Sequence, residues 1–412
     1  MSTMTETVIR HEIMRSTDAA QQFLAQLVQV PSDNPAGDCA PHAEHTARLL
    51  EALGFEVERH VVPADTVRAH GMVSVTNLIV RHRFGAGPVI ALNAHGDVVP
   101  PGTGWSVDPY GAEIKDGWMY GRGVAVSKSD IATYAFALAA LRDSGAALNG
   151  TVELHITYDE ETGGEIGPGW LLAQNLSKPD LAIGAGFSYA VVNAHNGCLH
   201  LEVIVTGKSA HAAMPSTGAD ALEAANAILT ALYKSRATLS QTISAVPGIG
   251  APQITVGLIE GGINTNVVPD RIVFRLDRRV IPDETISNVE ADLTRDIKQA
   301  ANFPGITVKT RRILSAEPLA PSPAAAHMTE RLCARASEIF GEPITVRGVP
   351  LYTDARHYAA AGVPIILYGA GPRTIEQANA HRADERLELA DLRRATEVIT
   401  LTIFDLLARP TP

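Results

Sequence analysis

The sequence predicts an α/β domain on a central, mostly parallel sheet, into which a smaller α+β unit is inserted. Three observations carry this. Val89 to Leu92 and Val152 to Tyr158 are short, largely apolar runs, as strands buried on both faces should be. Between them Ile131, Tyr134, Leu138 and Leu141 recur at helical spacing, so the order is strand, helix, strand. From about residue 198 the texture becomes strict alternation, with Leu199, Leu201, Val203 and Val205 on one side and His200, Glu202 and Thr206 among those opposite, which suits a sheet with one wet face.

Around these anchors the remaining elements fall into place. Residues 17–28 put Phe23, Leu24, Leu27 and Val28 on one helical face, and a second helix near 41–53 stops at Gly54. The inserted unit continues with a helix near 219–234 and strands near 254–259, 271–277 and 306–312. After about residue 315 the α/β pattern returns, with a helix from Met328 to Phe340 and a buried strand from Pro364 to Tyr368. The expected division is 1–197 and 315–412 for the main domain and 198–314 for the insert. A chain of 412 residues exceeds what one hydrophobic core usually organises.

Bulk composition narrows the function. With 46% hydrophobic and 19% charged residues the chain lacks the signature of disorder. A net charge of -11 argues against a phosphate-backbone binder, so nucleic acid is not an expected partner. Cys39, Cys198 and Cys333 are odd in number and widely spaced, which fits a reducing compartment better than a disulfide framework. Near the amino terminus stand Thr5, Glu6, His11 and Glu12, where a secretory signal needs an apolar run, and no stretch approaches membrane-spanning length. The expectation is a cytoplasmic protein without a membrane partner.

Both candidate strands run directly into acids and histidines, at the carboxyl ends where α/β sheets gather their ligands. Asn93-Ala94-His95-Gly96-Asp97 follows the first and Asp159-Glu160-Glu161 the second. A carboxylate two residues from His95 can hydrogen-bond the imidazole nitrogen not used for a metal. Adjacent glutamates at a strand terminus point in different directions, so one can hold a cation while its neighbour takes a proton from water. Each pattern also has a plain reading, a structural histidine and a solvated acidic turn.

Context separates these readings. His95 to Pro100, Trp105, Asp108-Pro109-Tyr110, Asp116-Gly117 and Gly121-Arg122-Gly123 form an ordered series. It continues through Asp159-Glu160-Glu161, Gly207-Lys208-Ser209-Ala210-His211 with Pro215, Asn264 to Pro269, Asp277-Arg278-Arg279, and His381 with Asp384-Glu385. In this the chain resembles the metallohydrolase family of acetylornithine deacetylase, succinyl-diaminopimelate desuccinylase, aminoacylase and carboxypeptidase G. The resemblance implies a zinc-exopeptidase-like catalytic domain with an inserted dimerisation or lid domain, and a homodimer. It makes His95, Glu161 and His381 metal ligands, Asp97 the residue orienting His95, and Glu160 the general base and acid. His211 becomes an oxyanion stabiliser offered from the smaller domain across a dimer interface, and Asn266 and Arg279 hold substrate, Arg279 through its planar fork. A structural surface arginine reads equally well at position 279.

The chain departs from the family twice. Where relatives place an aspartate bridging two metal ions after Gly-Arg-Gly, this sequence has Val126; where they place a glutamate ligand before a proline, it has Gly186. Two cations about 4 Å apart repel strongly without such carboxylates. One divalent ion is therefore expected, with zinc, manganese and cobalt not distinguished. Its third ligand stays open among His95, Asp97, Asp130, His195 and His357.

The resulting expectation is a metal-dependent hydrolase of a carbon-nitrogen bond in a small, carboxylate-bearing substrate, with Glu160 deprotonating a metal-activated water. Three alternatives compete with it: a metal-poor relative catalysing proton transfer with Glu160 and His211, a non-catalytic binding homologue, and a serine amidase using Ser127 beside Lys128.

Overall fold

The apolar run at Val89 forms a strand reaching His95, and its parallel neighbour places Thr157 opposite His95. The computed structural model describes residues 2–408. In chain order the strands are β1 Val57–Val61, β2 Thr76–Arg83, β3 Val89–His95, β4 Glu113–Lys115, β5 Trp118–Tyr120, β6 Thr151–Thr157, β7 Leu181–Gly184, β8 Val191–His195, β9 Gly197–Thr206, β10 Gln253–Gly261, β11 Arg271–Val280, β12 Thr307–Ala316, β13 Val346–Val349, β14 Ile365–Leu367 and β15 Arg386–Glu388.

The main sheet has the order β1-β2-β6-β3-β7-β14-β8-β13. Its centre, β6-β3-β7-β14, is parallel. At one edge β1 and β2 run antiparallel, and β8 meets β14 antiparallel. Parallel strands bring their carboxyl ends to one side of the sheet. His95, the Asp159-Glu160-Glu161 segment, Gly186 and Tyr368 are thereby gathered there.

Lys128–Asp143, the predicted helix between the strands, is buried from Lys128 through Leu141. It packs against Leu389–Leu407, a helix outside the sequence reading, whose buried residues include the polar Asp391, Thr396, Glu397, Thr400 and Thr402 among the apolar ones. Ser2–Arg15 and Ile286–Ala300 are further helices beyond the sequence reading. No helix among the described residues is long and apolar enough to cross a membrane.

Contacts divide the chain into two units, one of residues up to 193 with 321–346 and 353 onward, the other of 194–320 with 347–352. Residues 347–352, which sequence reading gives to the main domain, cluster with the smaller unit, where Gly348 donates to the Pro247 carbonyl and Val349 accepts from Asn196.

The smaller unit is a four-stranded antiparallel sheet, β10-β11-β9-β12. Leu199, Leu201, Val203, Val205 and Phe274 pack with helices Ala221–Leu239 and Ile286–Ala300 into its own core. The opposite face is less wet than alternation suggests. Glu202 is buried there between Arg275 and Arg311, at 2.9 and 2.8 Å, because cross-strand charges satisfy one another over the sheet.

Candidate functional site

His95 ends β3 and is buried. Its Nδ1 lies 2.9 Å from the main-chain carbonyl of Asp97 and 3.3 Å from the carboxylate, so the closer orienting partner is backbone. Gly96 permits this turn, since a Cβ there would sit 2.4 Å from the Tyr158 ring. Burial opposes charge on His95, but Asp97 and the nearby Glu160 and Glu161 outweigh it and hold the imidazole well above its usual value.

The Asp97 carboxylate has further work. It accepts the main-chain amides of Glu160 at 3.3 Å and Glu161 at 3.2 Å, together with Asn34 Nδ2 at 2.9 Å. Asp97 thus fixes both the histidine and the glutamate turn. Asp159 is buried and its Oδ2 accepts the amide of Ile166 at 2.6 Å, closing the loop behind the pair. This segment is a built turn and not a solvated acidic one.

Glu160 and Glu161 open a single turn of 3-10 helix, Glu160–Thr162. Sequence reasoning sends their side chains in different directions, but the structure converges them: ligand atoms of His95, Glu160 and Glu161 all lie within 4.8 Å of one another. Neighbours on such a turn are about a third of a revolution apart, and two long side chains bridge that separation. Glu160 Oε2 is 4.0 Å from His95 Nε2. Burial pushes the Glu160 carboxyl up to about 7, with His95 pulling down and Glu161 pushing up.

His381 joins from the far end of the chain, its Nε2 3.3 Å from Glu161 Oε1. Glu161 holds the imidazole above its ordinary value, against partial burial. His381 also has a left-handed backbone, φ +62°, as does Asp384 at +56°. L residues adopt that region reluctantly, and where they do so it is often beside a functional group.

Among the candidates for a third ligand, several are committed elsewhere. Asp130 is buried in the helix and accepts the Ala370 amide at 2.6 Å, and burial raises its carboxyl to about 7. His357 Nε2 faces the Gly163 carbonyl at 2.9 Å. Asp97 serves the amides just described. His195 Nδ1 lies 3.0 Å from the Asn196 carbonyl in the smaller unit. His95 is the candidate that the structure gathers with the glutamates.

Both departures from the family are visible. Val126 offers no donor atom and packs on the core. At Gly186 a Cβ would approach the Tyr368 amide nitrogen to 2.8 Å, so no side chain fits without backbone movement. By contrast Glu161 Oε1 is buried and meets no hydrogen-bond donor among the described residues except His381 Nε2 at 3.3 Å, itself a candidate ligand. Such an atom suits a cation. His95, Glu160 and Glu161 offer donor atoms that fit a divalent ion.

In the smaller unit His211 is exposed and pairs with the Val267 segment as an isolated bridge. Its Nδ1 accepts the Ala213 amide at 3.1 Å, and the neighbouring Ala212 amide donates to the Asn266 carbonyl at 3.0 Å, so His211 and Asn266 stand on two adjoining loops. Arg279 has its Nε 3.2 Å from Asp277, whereas Arg278 is buried against Glu284.

Asn34 is a site residue that sequence reasoning misses. No spacing rule links it to Asp97, and only the return of its loop beside Val98 joins them.

Over most of its length the chain is similar to known proteins. The model of peptidase family M20/M25/M40 matches residues 91–405. The chain is 27% identical over 390 residues to a succinyl-diaminopimelate desuccinylase of Wolinella succinogenes, covering 92% of this chain and 97% of the relative. It is 29% identical over 360 residues to an acetylornithine deacetylase of Proteus mirabilis, covering 86% of each. A solved structure from Bacillus subtilis, described as a dinuclear metal binding peptidase of the M20 family, superposes with a TM-score of 0.70 at 16% identity over 95% of this chain and 99% of that one. With the family model spanning most of the sequence, and a parallel-sheet unit and a separate antiparallel unit as its fold, this chain belongs to peptidase family M20/M25/M40 and is an enzyme of that amidohydrolase and peptidase class.

Proposed function

We propose that the chain hydrolyses an amide or related carbon-nitrogen bond in a small, carboxylate-bearing molecule, using one divalent cation held by Glu161, His381 and His95. The supporting observation is the convergence of His95, Glu160 and Glu161 within 4.8 Å, with a buried Glu161 oxygen 3.3 Å from His381 Nε2. When bound, the cation polarises the scissile carbonyl and acidifies water.

The remaining chemistry falls to the chain. Glu160, poised near neutrality by burial, takes the water proton and returns it to the leaving nitrogen. Asp97 holds the acids and His95 in place for that transfer. His211 serves as the donor to the developing oxyanion, and Asn266 and Arg279 as anchors for the substrate carboxylate. The test is Glu160→Gln, which keeps the shape and removes the base. Turnover should vanish with metal content unchanged; full activity would sink the assignment.

We further propose a cytoplasmic homodimer formed through the smaller unit. There β10 is an edge strand, with Leu258 and Ile259 exposed, and the adjacent helix Ala221–Leu239 leaves Leu222 and Tyr233 exposed. An open strand edge beside apolar side chains is a template for pairing with a second copy.

A further inference from the structure

We propose that the buried Arg122-Glu385 ion pair is a positioning device for His381, fastening the loop that presents its imidazole to the loops that follow β3 and β5. This rests on the reading of His381 as a metal ligand, and it assigns a role to two side chains that touch no substrate.

The geometry is unusually complete for a pair so distant in sequence. Both side chains are almost wholly enclosed, at 1% exposure each, with Arg122 Nη1 2.5 Å from Glu385 Oε2. The other oxygen of Glu385 accepts the amides of Ala125 at 3.1 Å and Val126 at 3.3 Å. The main chain adds a tie, the Gly121 amide to the Glu385 carbonyl at 2.9 Å. On its other side Arg122 Nη2 donates to the carbonyls of Pro101 and Arg382, each at 3.2 Å, and its guanidinium carbon stands 5.2 Å from the Trp105 ring centre.

One guanidinium therefore touches the chain after His95 and the residue next to His381, while its partner Glu385 holds the loop after Arg122. That last loop needs holding. Asn379, His381 and Asp384 all have positive φ without being glycine. Such a backbone persists only where its surroundings over-determine it. Asp384 contributes by accepting the Ser106 amide at 2.8 Å, and Asn379 Nδ2 donates to the Asp384 carbonyl at 3.3 Å. A buried ion pair is weak evidence for stability, because well-packed apolar residues often serve the fold equally well. What an apolar pair cannot do is grip four separate main-chain groups, and here those groups lie on the loops that frame the site.

Cobalt(II) is the probe, since its absorption reports ligand geometry and its affinity can be measured by equilibrium dialysis without turnover. The full chain would be compared with His381→Ala, Arg122→Lys and the double variant Arg122→Met/Glu385→Met, which removes both charges together. The expected result is a folded double variant that binds cobalt about 10–100-fold more weakly, with a ligand-field band shifted at saturation, as for loss of an orienting partner. Arg122→Lys should fall between it and the parent.

A purely structural role would lower the unfolding temperature but leave affinity and band unchanged. That outcome, with His381→Ala weakening cobalt, overturns the positioning proposal alone. If His381→Ala binds cobalt like the parent, the ligand reading fails and the proposal with it. Should the double variant not fold, Arg122→Lys carries the same criterion.

Discussion

Asp97 accepts the main-chain amide of Glu161 at 3.2 Å while its own carbonyl stands 2.9 Å from His95 Nδ1. The two functions of one residue are separable by mutation. Asp97→Ala keeps the backbone bond to His95 but releases the glutamate turn, and Asp97→Asn turns an amide donor toward donors. Both should weaken metal binding about 10–100-fold and lower kcat, measured by calorimetric titration and steady-state rates. An unchanged affinity in Asp97→Ala would show that the turn holds itself.

The acid-base role of Glu160 predicts the direction of the pH profile. Its carboxyl is pushed up to about 7, and the base form is the ionised one, so log kcat/KM should rise with pH below the inflection and level above it. A bound cation favours the ionised form and moves the inflection below 7. A rate flat from about pH 4 to 8 would count against Glu160 as base.

Metal counting tests the consequence of Val126 directly. One ion per chain is expected from metal analysis and anomalous scattering, and chelation should abolish activity. Val126→Asp supplies a carboxylate where the family has its bridge, and should raise the count toward two. A parent chain already carrying a second ion at full occupancy beside Val126 would refute the charge argument.

His42 makes stability acid-sensitive. It is fully buried, with Nε2 3.0 Å from the Leu27 carbonyl and Nδ1 3.0 Å from the Tyr158 hydroxyl. Burial, with Lys128 nearby, holds its pKa well below the usual value. Below about pH 6.5 the unfolded chain therefore binds a proton that the folded chain refuses, and unfolding free energy falls as pH falls, by up to about 1.4 kcal/mol per unit. Denaturant titrations between pH 7 and 5 should show this slope reduced in His42→Gln; an identical slope would remove His42 as its source.

The dimer prediction is structural. Leu258→Lys with Ile259→Lys places charge on the open edge of β10 and should yield monomers in sedimentation velocity, with activity falling if His211 acts across the interface. Full activity in a proven monomer would remove that role.

The strands at Val89 and Val152, the helix between them and the alternation after Leu199 were legible because a short apolar run, large apolar residues at helical spacing and strict alternation are each carried by residue type. Leu389–Leu407 was not, since polar residues such as Asp391, Thr396, Glu397, Thr400 and Thr402 are buried along with its apolar ones and break up the apolar pattern. At the site, His95, Glu160, Glu161 and His381 could be named from motif order. Their convergence could not, nor could the amide-gripping role of Asp97, because side-chain direction on a 3-10 turn and hydrogen bonds to backbone leave no trace in residue type. Asn34 and the Arg122-Glu385 tie are long-range pairings of the same kind.

The closed surroundings of Gly186 set what substitution alone can do to the site. Position 126 already carries a side chain, partly buried against the core, so a single codon change can place an acid there. Position 186 is closed to this, because the carbon that any replacement brings meets the Tyr368 nitrogen at 2.8 Å and the Leu367 carbonyl carbon at 2.9 Å. One of the two absent carboxylates can therefore be supplied by substitution alone, while the other requires the β14 terminus to shift first. Any redesign of this site toward a carboxylate-rich centre meets its steric limit at the glycine.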